Sequence, residues 1–481
     1  MVTELLIICL LIWFPVLLYQ IKHRGFVILV IWLFVAPVAS NVVNRPQANP
    51  FLEISAEGKD TRTVYITGEA TIRLRELLEP SRLLFGAYLV VFLLSAVKRS
   101  GRPLALDKTE KWMVVFSVVL LASALLQSRR TAFGLHVASD AFVVPFLAYG
   151  VARRLVTTED RFRKLTQVIG WMGVYLIIIS IIERLAHADI AYRLRGPFDF
   201  RDALYIAMMV VFFTVLIESV GTSSQGQKRV IPYGIQICVL SLAPVIIFLT
   251  WTRGPWLGFL LGIWTFAFLG SKLVTLRPKL LALGLLLGLL PVAFLGFQEL
   301  LGVGEVYSRV ANTPNIYRRF ATYEVMIEEM SSNPVFGIGL NNMRDVLWEK
   351  KRQQTSYGVR AYTVSHNSYL ALAGELGAMG LLAYLAILAS IFRTGRRVFR
   401  MGKHPQECWR GIGVIAIMVA YLIPAAFDTT LYRPWLPPIY VFVYFGGVAG
   451  LYDLSRLQRL GRQIQSDWQR PGDTSEIKQK T

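Results

Sequence analysis

The sequence predicts an all-α protein, a polytopic transmembrane bundle of about 12–14 spans carrying one long, partly helical extramembrane loop. Three observations predict this. Hydrophobic residues make up 54% of the 481 residues, and mean hydropathy is +0.49, well outside the range of ordinary soluble domains. Apolar runs near the ~20-residue length of a bilayer-spanning helix recur from end to end. The basic residues, which give a net charge of +20, collect in the short segments between those runs.

The runs lie at 4–21, 25–43, 82–97, 112–127, 131–151, 165–185, 203–220, 231–250, 255–270, 280–298, 367–391, 410–427 and 437–453. The first lacks a basic leader and a small-residue cleavage site, which predicts a retained helix rather than a signal peptide. Four regions follow: N-terminal transmembrane helices over 1–298, a large loop over 299–366, C-terminal transmembrane helices over 367–453, and a basic tail over 454–481. Inside the loop, Thr313 and Pro314 suit the start of a helix, and Phe320, Tyr323, Ile327 and Met330 recur at helical spacing. Ser331-Ser332-Asn333-Pro334 stops that helix, Gly337 to Asn342 makes a tight turn, and a second short helix runs from Met343 to Gln353. This is too much structure for a simple connector and predicts a lid or site-forming element.

Basic residues also assign the faces. The segments 98–111, 153–164 and 393–410 and the tail Arg456 to Arg470 fall on one side, predicted cytoplasmic, so the charge reflects topology and no nucleic-acid partner is expected. The opposite face receives 44–81, Arg129 and Arg130, 186–202, 251–254, 299–366 and 428–436. Against the rule, that face also holds Arg193, Arg195, Arg201, Arg253, Arg309, Arg318, Arg319, Arg344 and Arg360. Long loops escape the rule, but Arg253 sits in a turn of a few residues, where an unpaired cation is costly. A fixed anionic partner explains it, and so does snorkelling to the interface. The cysteines Cys9, Cys238 and Cys408 offer neither a disulfide framework nor metal-ligand spacing.

His366, one of five histidines, stands at the mouth of an apolar helix directly after an arginine-rich loop. At the boundary between membrane and water it can exchange protons, or it can merely anchor the helix. Ser365 or Asn367 is placed to cap that helix, which brings a positive dipole end close to the imidazole. Glu375 lies about 13 Å deeper at 1.5 Å per residue, too far to orient the ring. It is expected to line the cavity, pair with an arginine, or hold two helices together. Gly374, Gly377 and Gly380 permit close helix packing. Two other polar pairs stand out: His136 with Asp140, four residues apart, as a transporter would place them, and Asp199 with Asp202, a thin basis for a metal.

Four stretches together resemble the O-antigen ligase and polymerase superfamily of bacterial membrane glycosyltransferases. They are Gly196-Pro197-Phe198-Asp199; Thr252-Arg253-Gly254-Pro255-Trp256; Arg318-Arg319 with Asn333-Pro334-Val335-Phe336-Gly337-Ile338-Gly339; and His366-Asn367, nine residues, then Gly377-x-x-Gly380. The resemblance implies transfer of a glycan from undecaprenyl pyrophosphate to an acceptor hydroxyl, on another glycan (polymerase) or on lipid A core (ligase). It further implies a multi-pass protein of the bacterial inner membrane, a periplasmic active site, and neither cofactor nor metal. His366 is then the base, with Arg253 and Arg319 as pyrophosphate clamps and Arg318, Arg195 and Glu375 as substrate-binding residues. A transporter or flippase for an anionic or lipid-linked substrate is the alternative.

Overall fold

The computed structural model describes residues 26, 27, 29, 33, 106–187, 194, 196, 201–223, 231–250, 252–271, 273, 314–350, 362, 365–402, 404–428, 430, 431 and 437–468. The predicted runs at 4–21, 82–97 and 280–298, most of 25–43, and Arg195, Asp199 and Thr313 lie outside the described residues.

Every regular element among the described residues is helical: α1 (Lys108–Leu126), α2 (Thr131–Val137), a π-helical stretch (Ala138–Val143), α3 (Val144–Leu155), α4 (Glu159–Ala186), α5 (Arg201–Ser223), α6 (Tyr233–Leu249), α7 (Arg253–Gly270), α8 (Pro314–Ser332), α9 (Met343–Lys350), α10 (Ser368–Met401), α11 (Pro405–Ala425) and α12 (Pro437–Trp468). Among the described residues, six helices are long and apolar enough to cross a membrane, including Gly134–Leu155, which joins α2 to α3 through the π turn. Tyr233–Leu249 and Pro438–Leu454 are shorter apolar helices. The ends are chemically specified. Asp107 accepts from the Glu110 N–H at 2.7 Å while the Glu110 carboxylate accepts from the Asp107 N–H at 2.9 Å, a reciprocal cap that starts α1.

α5 is the central helix, and α4, α6, α11 and α12 pack around it. α7 lies along α11, α10 lies between α11 and α1, and α3 lies against α12. In lipid, helices associate by close contact rather than by hiding apolar surface from water. Gly258 and Gly262 permit that contact: a Cβ on the first would sit 2.6 Å from Pro424 Cδ, and on the second 2.8 Å from Ala420 Cβ. The start of α7 is thereby pressed against the end of α11.

At the end of the bundle away from the loop helices, charged residues knit the spans. Arg153 reaches Asp453 at 2.6 Å and Glu110 at 2.7 Å, and Arg154 also meets Glu110, joining α1, α3 and α12. Arg410, buried within α11, makes a two-pronged contact with Glu159 at 2.8 and 2.5 Å and lies 4.4 Å from the Phe162 ring centroid.

α10 is broken near its loop-side end. Gly377 adopts φ 64° and ψ −166°, a conformation reserved almost wholly for glycine. The turn after α8 enters this break. The Ile338 and Gly339 N–H groups donate to the Gly374 and Glu375 carbonyls at 2.9 and 3.0 Å, and the Ala378 and Met379 N–H groups donate back to Pro334 and Val335 at 2.8 and 3.3 Å. Backbone groups released by the break are thus satisfied by the turn. A Cβ on Gly377 would collide with the Val335 carbonyl, and one on Gly337 with that of Glu375. Gly377→Ala should therefore cost about 1–3 kcal/mol for the backbone alone, with the collision added. Thermal unfolding in detergent reads this directly; an unchanged Tm would show that the break is dispensable.

The same turn holds α1. Leu340 N–H donates to Ser123 Oγ at 3.0 Å, and Asn342 bridges the Gln127 carbonyl and the Arg129 N–H at 2.9 Å each. On α9, Glu349 pairs with Arg129 at 2.7 Å and Asp345 with Arg130 at 3.3 Å, which accounts for two cations of that short turn.

Candidate active site

Four elements converge at the loop side of the bundle. Trp256 sets the α6–α7 turn by stacking on Phe248 at 4.2 Å and donating from Nε1 to the Phe248 carbonyl at 3.1 Å. Arg253 opens α7, and the adjacent Gly254 sits 3.3 Å, measured from its built Cβ, from Phe427 Cβ. Arg253 therefore lies beside the segment that ends in Asp428. Asn367 caps α10 by accepting from the Tyr369 and Leu370 N–H groups at 3.0 Å each. With Asn367 used as the cap, His366 stands one residue outside the helix in a left-handed conformation, φ 48°. A non-glycine residue pays strain there unless its surroundings hold it.

Those surroundings are specific. Tyr323 of α8 donates its hydroxyl to the His366 carbonyl at 3.1 Å. The Tyr362 ring meets the imidazole edge-on, centroids 4.9 Å apart, and the Tyr362 N–H is fixed on Thr322 Oγ1 at 2.8 Å. Asp428 Oδ1 lies 3.6 Å from His366 Nδ1, within ion-pair reach but longer than a hydrogen bond. Ser368 locks the Asp428 backbone by donating Oγ to its carbonyl at 2.8 Å. The His366 side chain keeps 25% exposure, so one side of the ring remains open to a ligand.

The cations divide. Arg319 lies close enough to Arg253 for their charges to interact; loss of water first, then the Arg319 charge, pushes the Arg253 guanidinium below its ordinary value. Arg319 also reaches Tyr323, whose phenol is raised by burial and pulled back by that cation. Arg318, its sequence neighbour, instead sits 5.8 Å from the Tyr362 ring centroid. Two like charges held together at an aqueous mouth favour an anion between them, and guanidinium groups suit a phosphate fork.

Of the residues singled out in the sequence, His366, Arg253, Arg319 and Arg318 are brought to one place. Arg195 lies outside the described residues, although its neighbours are anchored nearby: Leu194 N–H donates to the Leu249 carbonyl at 3.2 Å, and Gly196 N–H to Glu183 at 2.7 Å. Glu375 is buried beside the break, where Oε1 accepts from the Met343 N–H at 3.2 Å and caps α9. That corresponds to the helix-joining option among its expected roles. His136 and Asp140 face each other at 3.8 Å across the π turn. Among the described residues no three His, Cys, Asp or Glu side chains converge as a metal would require.

Sequence reasoning missed Asp428, Tyr323 and Tyr362. Tyr323 was visible only as one apolar position in a helical repeat. A signal for Asp428 did exist: it is a carboxylate at the end of a span on the same predicted face as His366.

Residues 237–385 match the family model described as O-antigen ligase. No curated protein matches the chain. The matched segment runs from α6 into α10 and contains Arg253, Arg318, Arg319, His366 and both halves of the interlocked break. Through this segment, the chain is similar to the O-antigen ligase family, in line with the resemblance carried by its motifs.

Proposed function

We propose that the protein moves a glycan from undecaprenyl pyrophosphate to an acceptor hydroxyl at the periplasmic face of the bacterial inner membrane, without a metal. The observation that carries this reading is the His366–Asp428 pair at 3.6 Å, with Arg253 and Arg319, from separate elements, near enough for their charges to interact. The acceptor oxygen attacks the anomeric carbon, the bond from that carbon to the pyrophosphate oxygen breaks, and the acceptor proton passes to His366. Arg253 and Arg319 neutralise the charge that develops on the departing pyrophosphate, a task suited to fixed, partly dehydrated donors. Asp428 steadies the imidazolium as it forms. Tyr362 lies edge-on to the imidazole and Arg318 lies over the Tyr362 ring, and together they contact the glycan. The acceptor is a growing glycan or lipid A core, and the chemistry is the same for both.

Purified protein in liposomes, supplied with lipid-linked glycan and acceptor in excess EDTA, should release one undecaprenyl pyrophosphate per glycan transferred. Activity lost in EDTA and restored by Mg²⁺ or Mn²⁺ would overturn the arginine clamp. Passage of the lipid-linked glycan across the bilayer without any transfer would favour a flippase.

A further inference from the structure

The turn that enters the α10 break has an outer surface as well as an inner one. Its backbone is bonded to α10, yet Val335 and Phe336 are 50% and 61% exposed. Their exposed neighbours are apolar. Met379, whose N–H donates to the Val335 carbonyl, is exposed on α10, and Leu382 and Leu385 continue that face. The residues just before the turn, Ser331, Ser332 and Asn333, are exposed and polar. Polar and apolar exposure therefore change over within three residues.

The position of this change along α10 indicates what it faces. The first arginine at the far end of α10 is Arg393, followed by Arg396, Arg397 and Arg400. Counting back one hydrocarbon thickness of ~30 Å at 1.5 Å per residue reaches about residue 373. The break at Gly377 thus falls within the outermost turn of the apolar layer on the side of His366. Irregular backbone at that depth needs partners for its polar groups, and α10 supplies them for the Pro334 and Val335 carbonyls and for the Ile338 and Gly339 N–H groups.

We infer that the Asn333–Gly339 turn is a lipid anchor: Val335 and Phe336 contact the acyl chains of the leaflet on the active-site side, continuing the lipid-facing surface of α10. The anchor has a geometric consequence. α8 rises directly from this turn and carries Tyr323 and Arg319, so contact with the leaflet fixes their height above the hydrocarbon. The lipid contact itself does not depend on the glycosyl-transfer reading.

The test uses the full chain in phospholipid nanodiscs, with Cys9, Cys238 and Cys408 replaced by alanine and a nitroxide attached at Phe336→Cys. Oxygen, which partitions into acyl chains, and a neutral nickel chelate, which stays in water, relax the label differently. Leu382→Cys marks the lipid-facing standard and Ser332→Cys the aqueous one. Oxygen should exceed nickel several-fold at position 336, as at 382, with the reverse at 332. A label at 336 that follows the aqueous standard overturns the inference. So does one shielded from both reagents, which would indicate a protein partner. Should the Phe336→Cys protein fail to assemble, Val335→Cys carries the same expectation and the same two contrary outcomes.

Discussion

His366→Gln should bind the lipid-linked donor as the wild type does and lose about a hundredfold to ten-thousandfold in turnover, the contribution of a positioned general base. Glutamine preserves polar reach but cannot take a proton. The surroundings of His366 sharpen the test, because two contacts act on this residue rather than on the cap. The Asn367 side chain accepts from the Tyr369 and Leu370 amides, so removal of the imidazole leaves the cap of α10 intact. Tyr323→Phe frees the His366 carbonyl, and Asp428→Asn removes the charge 3.6 Å from Nδ1. If both act through the imidazole, each should lower kcat with little change in KM. Neither should slow the H366Q protein further, since residues that work as one unit are not additive. Normal turnover by H366Q would reduce the histidine to an interface anchor. Equal slowing by Asp428→Asn in both backgrounds would assign the carboxylate a separate role.

Arg253→Lys should fail nearly as badly as Arg253→Ala, with losses of about a hundredfold to a thousandfold, as for removal of one donor to a developing oxyanion. Lysine keeps the charge but loses the planar fork that grips two phosphate oxygens together. Position matters as well. Arg253 is the first residue of a helix pressed by Gly258 and Gly262 against α11, so its reach toward Arg319 is set by packing. The mutual repulsion of the two guanidinium groups is relieved by an anion held between them, which makes their joint geometry part of the affinity. Transfer assays at matched membrane abundance decide the matter: near-normal activity of the lysine variant would show that only charge is needed.

The spans were legible because apolar length is a one-dimensional property, and nine predicted runs coincide with helices. The caps at Asn367 and Asp107 follow from local chemistry; for α10 the sequence offers Ser365 or Asn367, and Asn367 takes the position. The histidine and the arginines were legible through ordered motifs. The break at Gly377 was not, because it depends on backbone bonds to residues some forty positions earlier, and nothing in a glycine's neighbours announces such a partner. The same reason hid the task of Glu375, whose partner is a backbone amide on α9. Asp428 lies outside every motif, and only the packing of α11 against α10 brings it to His366. Adjacent residues such as Arg318 and Arg319 point about 100° apart on a helix, and here the ring of Tyr362 and the charge of Arg253 distinguish them.

α11 carries Arg410 near one terminus and delivers Asp428 just past the other. The buried guanidinium is gripped by Glu159 of α4 and covered by Phe162, so sliding α11 along its axis would strip a desolvated cation of its counter-ion. Tilting is opposed by α7 on one flank and α10 on another. The helix behaves as a piling driven through the bilayer and moored at its foot, and the catalytic head it supports inherits that fixed elevation. On the proposed function, lipids and glycan move to the site while this rod holds Asp428 at its height.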